Sequence, residues 1–181
     1  MSGKLIVVSG PAGVGKGTIV KTVVKNRDDV VESVSCTTRA PRPGETHGKE
    51  YYFISKEEFL RRIEEKDFLE YDEHFGNYYG TPKSFVKEQL KEKTVILEID
   101  VIGALCTKKA FPDCVLVMIT PPSMEELKRR LIGRGTETAE QIEQRFARIE
   151  YELEKQTEYD YVIVNDVLEN AIAELERIID K

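Results

Sequence analysis

Short runs of apolar residues alternate with stretches of helical periodicity along most of this chain. The first run, Lys-Leu-Ile-Val-Val-Ser at positions 4–9, is continuous and ends at a glycine, which is typical of a strand covered on both faces. Similar runs return at 94–99, 114–120 and 161–164. Helical spacing follows at Ile19, Val20, Val23 and Val24, and again over 103–110, 123–132 and 167–179. This alternation predicts an α/β fold: a parallel sheet of the P-loop type with helices on both faces.

Two stretches interrupt the alternation. Residues 34–82 contain Pro41, Pro43 and several of the tyrosines, with short strand-like pieces and one helix near 56–66, and they are predicted to form an inserted subdomain. Residues 133–140 are polar and glycine-bearing, and they precede a long amphipathic helix marked by Ile142, Phe146, Ile149 and Leu153. We therefore expect one domain over 1–181, with a core of about 1–33, 83–123 and 147–181, an insertion over about 34–82 and a mobile lid over about 124–146.

Composition narrows the classes of protein to which the chain can belong. Of 181 residues, 40% are hydrophobic and 33% are charged, which predicts a globular chain and argues against disorder and membrane spans. The formal net charge of −6 argues against a nucleic-acid-binding domain. Any phosphate group must therefore be bound by a few residues at one site rather than by the overall charge of the protein. Without a signal-peptide pattern, a cytoplasmic location is expected. The three cysteines Cys36, Cys106 and Cys114 form no C-x-x-C pair, so idle thiols are predicted rather than disulfides or a zinc site.

The strongest local signal lies between the first strand and the first helix. Residues Gly10, Pro11, Ala12, Gly13, Val14, Gly15, Lys16, Gly17 and Thr18 satisfy the pattern G-x-x-x-x-G-K. Glycines allow the backbone to approach phosphate oxygens, the helix N-terminus contributes its positive dipole end, and Lys16 contributes a full charge. The sequence therefore predicts a P-loop that binds the phosphates of a nucleotide.

Acids and hydroxyls near this loop bear on magnesium binding. Gly17 stands where the usual motif has the Ser or Thr that contacts Mg²⁺, and the hydroxyl comes one position later, at Thr18. We therefore expect water and phosphate to hold the metal, and we assign no direct protein ligand to it. Glu98 and Asp100 end a buried run and could orient such waters or pair with arginines, or else cap a helix. A GTPase is excluded, because Asp100-Val-Ile-Gly103 fits D-x-x-G but no N-K-x-D follows it.

Five blocks of sequence, taken in order, resemble the guanylate kinase family over nearly the whole chain. They are the P-loop, Ser35-Cys-Thr-Thr-Arg-Ala-Pro-Arg-Pro-Gly-Glu45, Gly48-Lys-Glu-Tyr-Tyr-Phe53, Gly76-Asn-Tyr-Tyr-Gly-Thr81 and Gly133-Arg-Gly-Thr-Glu-Thr138. The resemblance implies transfer of the γ-phosphoryl of ATP to GMP in the presence of Mg²⁺, with the insertion binding GMP and the lid closing over the site. GMP is the expected acceptor, dGMP is expected to be tolerated, and no protein partner is implied.

The resemblance also implies roles for individual residues. The GMP-site positions fall on Ser35, Arg39, Arg42, Tyr51, Glu70, Tyr79 and Thr81, with the acids Glu98 and Asp100 as further candidates. The candidate catalytic cations are Lys16, Arg42, Arg134 and Arg145. Asn165 resembles a position on the adenine side of the ATP site, with simple helix capping as the alternative.

The chemistry of these residue types agrees with the implied roles. Arg39 and Arg42 can hold a monophosphate with paired N–H groups. The carboxylate of Glu70 can accept from the adjacent N1–H and N2–H₂ donors of guanine, and Thr81 can offer a hydroxyl to O6. Packing is the expected role of Tyr52 and Tyr78, and solvated helix positions are expected for Arg129, Arg130 and Arg148.

Two other functions remain open from the sequence. Guanylate-kinase-like domains of scaffold proteins use the same pocket for phosphorylated peptides, but they typically lose P-loop or lid residues, whereas Lys16, Arg134 and Arg145 are present here. A related kinase acting on a non-nucleotide phosphate is the second alternative, and Glu70 argues against it.

Overall fold

A computed structural model describes residues 3–74, 76–132 and 139–181 and contains two sheets. The strands are β1 (Leu5–Ser9), β2 (Val30–Glu32), β3 (Cys36–Thr37), β4 (Tyr52–Phe53), β5 (Phe68–His74), β6 (Asn77–Pro82), β7 (Thr94–Glu98), β8 (Val115–Thr120) and β9 (Tyr161–Val164). The helices are α1 (Lys16–Asn26), α2 (Lys56–Glu64), α3 (Lys83–Gln89), α4 (Val101–Ala110), α5 (Met124–Ile132), α6 (Ala139–Glu154) and α7 (Leu168–Asp180). A short 3₁₀ turn, Lys155–Glu158, follows α6.

The larger sheet has five strands, all parallel, in the order β2-β7-β1-β8-β9. Side chains alternate between its two faces along each strand. On β1, Ile6 and Val8 belong to the core cluster formed with α1 and α7, whereas Leu5 and Val7 belong to the cluster that includes residues of α3 and α4. Because both faces are covered, the strand is apolar throughout, and the predicted parallel α/β fold is confirmed.

The smaller sheet is built from residues inside the segment 34–82, in the order β4-β3-β6-β5. β5 and β6 form an antiparallel pair, and β3 joins β6 in antiparallel and β4 in parallel orientation. A separate cluster centred on Cys36, Phe59 and Phe68 fills the space between this sheet and α2. Tyr52 and Tyr78 pack against that cluster, as expected for aromatic residues in a small sheet.

Several element boundaries differ from those predicted. α4 begins at Val101 rather than at residue 103, because the Asp100 carboxylate accepts a hydrogen bond from the Gly103 amide at 2.8 Å and caps the helix. The short strand β2 and the helix α3 were not predicted, since each is too short to show a clear period. Among the helices of the described residues, none is long and apolar enough to cross a membrane.

The three cysteines are free. Cys36 and Cys114 are buried, and burial raises the pKa of each thiol to about 11, whereas Cys106 is exposed. The two buried side chains therefore act as small apolar groups in their clusters, in line with the prediction of idle thiols.

Candidate active site

The P-loop connects the central strand β1 to α1 at the carboxyl end of the parallel sheet, where ligands of open α/β folds bind. Gly10, Gly13 and Gly15 all have positive φ, between 82° and 141°. A Cβ at Gly15 would also lie 2.6 Å from the Asn165 amide nitrogen. Only glycine is compatible with these conformations and this close contact, so the loop curls tightly ahead of α1.

Lys16 is the first residue of α1, and its side chain folds back over the loop. Its ammonium donates to the carbonyl oxygens of Gly10 and Pro11 at 2.6 and 3.1 Å. Burial lowers the pKa of Lys16, while the carboxylates of Glu98 and Glu152 act in the opposite direction. A positive charge is thus held at the centre of the phosphate-binding loop.

Two residues from the far end of the chain brace the loop. Asn165, which follows β9, is 7% exposed, and its side-chain amide donates to the Val14 carbonyl at 2.8 Å. The Tyr159 hydroxyl bonds to the Ser9 hydroxyl at the end of β1, and burial raises the pKa of Tyr159 to about 12. The bracing role of Asn165 replaces the helix-capping alternative, because α7 has Val167 at its cap without a side-chain bond.

Glu98 is the last residue of β7, the strand next to β1, and Asp100 lies two residues beyond it. Val8 pairs with Glu98 in the sheet, so the two acids emerge beside the P-loop. Asp100 both caps α4 and binds Arg148, whose Nη2 lies 3.1 Å from its Oδ2. A Cβ on Gly17 would lie 3.4 Å from a Glu98 carboxylate oxygen, so Glu98 faces the start of α1.

The residues beside α1 fit the chemistry of magnesium. A cavity of about 330 Å³ is lined by Gly13, Gly15, Lys16, Gly17, Thr18, Lys21 and Glu98. Thr18 and Glu98 offer hydroxyl and carboxylate oxygens, which Mg²⁺ prefers, although no group of three or more metal-binding side chains occurs within the described residues. This donor set suits an ion that keeps water and phosphate ligands.

Glu70, Thr81 and Ser35 form a chain of hydrogen bonds in the smaller sheet. The Thr81 hydroxyl donates to Glu70 at 2.8 Å, so the Ser35 hydroxyl, 3.0 Å from Thr81, donates to Thr81 in turn. Burial raises the pKa of Glu70, an effect that the bond from Thr81 partly offsets. The hydroxyl proton expected to face guanine O6 is therefore directed at Glu70 in this structure.

Arg39 is held by a residue to which the sequence analysis assigned no role. Its two terminal nitrogens bind both carboxylate oxygens of Glu45, at 2.9 and 3.0 Å, and its guanidinium lies 5.6 Å from the centre of the Tyr51 ring. The hydrogen bonds that Arg39 donates to Glu45 raise the pKa of Arg39, and Tyr79 contributes in the same direction. Glu45 also accepts from the Arg42 backbone amide, so one carboxylate holds the Arg39 guanidinium and the backbone of Arg42.

The predicted lid residues are described only in part. Arg134 lies outside the described residues, and Arg145 is one of the residues of α6. Arg129 pairs with Glu126 on α5 and is largely exposed, as expected. Arg148 is also exposed, as expected, but it lines the cleft and binds Asp100 and Glu152.

One continuous cleft joins the P-loop to the GMP-site candidates. A cavity of about 480 Å³ contacts Lys16 and Glu98, and a second cavity of about 500 Å³ contacts Glu70 and Tyr79. Both are lined by Ile99, Asp100 and Arg148. The arrangement can hold a polyphosphate at one end and an aromatic ring with hydrogen-bond donors at the other, with cations between them.

Comparisons with known proteins agree with the motifs. A family profile described as guanylate kinase matches residues 2–181. The guanylate kinase of Clostridium perfringens is 53% identical over 178 residues, which are 98% of this chain and 82% of that protein. The crystal structure of guanylate kinase from Anaplasma phagocytophilum superposes with a TM-score of 0.71 at 34% identity, covering 99% of this chain and 85% of that one.

A more distant match concerns the fold alone. Shikimate kinase from Bacteroides thetaiotaomicron matches 98% of this chain and 99% of its own with a TM-score of 0.56 at 16% identity. The overall fold is therefore shared with that protein, which says nothing of a common function.

Proposed function

The chain belongs to the guanylate kinase family of ATP:GMP phosphotransferases, and from this premise we propose that its cleft transfers the γ-phosphoryl group of ATP to GMP. The observation that carries the proposal is the juxtaposition of two chemically different cavities. One contacts the P-loop lysine, the other contacts a buried carboxylate suited to guanine, and both share Asp100 and Arg148.

ATP occupies the P-loop side in this proposal. Backbone N–H groups from Gly10 to Thr18 and the ammonium of Lys16 contact its phosphates. Thr18 and Glu98 would hold Mg²⁺ directly or through water, and the bound ion would neutralise charge on the phosphates. Asn165 supports this end of the cleft by fixing the Val14 carbonyl.

GMP occupies the side formed by the smaller sheet. Arg39, ordered by Glu45, and the neighbouring Arg42 bind its phosphate, with the hydroxyls of Tyr51 and Tyr79 close by. The rings of Tyr51 and Tyr79 lie 6.0 Å apart, which supports a shared role for the two side chains beside the phosphate.

The base of GMP lies against Glu70 and the hydroxyls that bond to it. Glu70 keeps one carboxylate oxygen for the guanine donors while Thr81 donates to the other, and Ser35 supports Thr81. A carboxylate that accepts only is complementary to guanine N1–H and N2–H₂.

The reaction requires alignment rather than covalent catalysis. A phosphate oxygen of GMP attacks the γ-phosphorus of ATP, a new P–O bond forms, and the bond to the β,γ-bridging oxygen breaks, releasing ADP and leaving GDP. Lys16, Arg42 and the lid residues Arg134 and Arg145 stabilise the charge of the transferring group in this proposal. An ionised phosphate nucleophile needs no strong general base.

Turnover with a panel of monophosphates tests the proposal. We expect ADP release from ATP and Mg²⁺ to be fast with GMP, measurable with dGMP and very slow with AMP, CMP and UMP. No turnover with any of the five would contradict a nucleotide kinase. Binding of phosphorylated peptides without turnover would favour the scaffold-type alternative.

A further inference from the structure

Arg148 stands where the two halves of the cleft meet. It lies on α6, lines the cavity of the P-loop, and also lines the cavity that contacts Glu70 and Tyr79. Ile99 and Asp100 also line both cavities, and among the described residues Arg148 is the cation that they share. A phosphoryl group that moves between the two substrates has to cross this point.

Two carboxylates fix the direction of the Arg148 side chain. Its Nε donates to Glu152 at 3.0 Å, one helical turn further along α6, and its Nη2 donates to Asp100 at 3.1 Å, on the opposite wall of the cleft. Nη1 has no hydrogen bond to any residue in the part of the chain that the structure describes. The guanidinium is thus held from two sides and keeps N–H groups for an anion.

Glu152 is unusual for a charged residue on a helix. Its side chain is only 9% exposed, against 58% for Arg148, and its carboxylate acts on the Lys16 ammonium as well as on Arg148. A buried carboxylate is tolerated where cations compensate it, and here both cations face the cleft. Ion pairs along a helix are usually exposed on both sides, whereas in this pair Glu152 is buried and lies beside the P-loop lysine.

We propose that Arg148 contacts the phosphate groups at the junction of the two substrates and that Glu152 is a positioning residue that holds it there. The proposal rests on the function proposed above and adds a cation to the candidate set of that reaction. An arginine in this place presents paired N–H groups to phosphate oxygens and opposes the charge that spreads over the transferring group. Asp100 anchors the same guanidinium from the wall of α4.

The main test compares Arg148→Gln with Arg129→Gln, an exposed arginine of α5 that is paired with Glu126 at a distance from the cleft. We expect kcat/KM for GMP to fall about 10- to 100-fold in Arg148→Gln, the scale of one charge-assisted hydrogen bond, and to stay unchanged in the control. Arg148→Lys, which keeps the charge but not the planar fork, should lie between the two.

Calorimetric titration separates phosphate contact from a merely structural ion pair. A bisubstrate analogue that joins adenosine and guanosine through a polyphosphate chain should bind Arg148→Gln at least about 10-fold more weakly, while guanosine, which has no phosphate, should bind as in the unaltered protein. Equal weakening of both ligands, or no weakening of either, would overturn the proposal. Thermal unfolding of the variant shows whether it is folded.

Glu152→Gln tests the positioning role. The amide can still accept from Arg148 but carries no charge, so we expect kcat to fall by less than in Arg148→Gln, with KM for GMP nearly unchanged. A change in melting temperature with unaltered kcat would reduce Glu152 to a structural residue. If the unaltered protein phosphorylates GMP while the Arg148 variants behave like it, only this inference fails; absence of turnover in the unaltered protein contradicts the proposed function instead.

Discussion

At the scale of single residues, Glu70 is the side chain whose surroundings most restrict what can bind. It is half-buried, receives the Thr81 hydroxyl and accepts hydrogen bonds without donating when ionised. Adenine would direct its own N1 lone pair at this carboxylate and leave buried charge unpaired. Sites that reject ligands in this way reach about 10⁴- to 10⁵-fold discrimination.

We predict that Glu70→Gln weakens GMP by about 1.5–3 kcal/mol and leaves KM for ATP unchanged. The amide keeps one acceptor and gains donors, so kcat/KM for AMP should improve relative to GMP. Glu73→Gln, an exposed position on the same strand, is the matched control. An unchanged ratio of GMP to AMP in Glu70→Gln would place guanine recognition elsewhere.

The raised pKa of Glu70 also predicts a dependence on pH with a definite sign. Because burial favours its neutral form, the folded protein loses stability from this group as pH rises from the ordinary glutamate range through the raised pKa. Glu70→Gln should therefore raise the melting temperature at neutral pH although it impairs GMP binding. In the unaltered protein the affinity for GMP should fall as the pH is lowered. Calorimetric titrations with GMP, repeated from neutral pH downward, should show a weaker dependence of this affinity on pH in Glu70→Gln.

Lys16 gives the complementary prediction on the ATP side. Lys16→Ala removes the charge held at the P-loop, so we expect nearly all turnover to be lost while GMP binding, measured by calorimetry, stays largely intact. Lys25→Ala, an exposed lysine near the end of the same helix, serves as control. A loss of GMP affinity as large as the loss of rate would contradict the separation of the two sites.

At the scale of elements, the start of α4 forms one wall of the guanine side. The absence of a side chain at Gly103 permits this packing, because a Cβ there would lie 3.3 Å from both Asp100 and Ile99 and 3.6 Å from Glu70. Glycine inside a helix otherwise costs about 1 kcal/mol relative to alanine. The helix therefore gives up stability at a position that packs against Glu70, the carboxylate proposed to bind the base.

Gly103→Ala should consequently separate stability from binding. We expect unfolding in urea to show equal or greater stability, and KM for GMP to rise about 3- to 10-fold, less than the 10²-fold associated with a 1 Å misplacement. KM for ATP should not change. A variant that loses stability and binds GMP normally would show that α4 does not shape this site.

At the scale of the whole molecule, the two sheets leave space between them. A cavity of about 520 Å³ has Lys21, Glu32 and Ser33 on the side of the core and Glu45 and Tyr51 on the side of the smaller sheet. Phosphoryl transfer benefits from the exclusion of water, and closure of loops or subdomains is the usual means. Movement of the segment 34–82 toward the P-loop would bring Arg39 and Arg42 closer to the ATP phosphates.

Small-angle scattering can measure this closure. We predict that a bisubstrate analogue that spans both halves of the cleft lowers the radius of gyration, and that guanosine alone produces a smaller change. An unchanged radius of gyration with the analogue bound would contradict closure.

The sequence by itself determined four of the five strands of the larger sheet and the position of the P-loop. These features depend on local properties: an apolar run covered on both faces, helical spacing after it, and glycines with a lysine between the two. The motifs also sufficed for the family, which the comparisons confirm. The boundaries of α4 and the existence of β2 and α3 were not predicted, because a cap or a three-residue strand depends on one or two hydrogen bonds.

The tertiary structure alone decided which polar side chains meet. Arg148 and Asp100 are 48 residues apart and Asn165 and Val14 are 151 apart, so no spacing along the chain could pair them. Glu45 orders Arg39 only because the turn between them folds back, and Glu152 is buried where α6 lines the cavity that also contacts Lys16. Arg148 is exposed, as the sequence predicted, but its ion pair with Asp100 could not be predicted, because helical periodicity describes one face of α6 whereas this partner lies on α4.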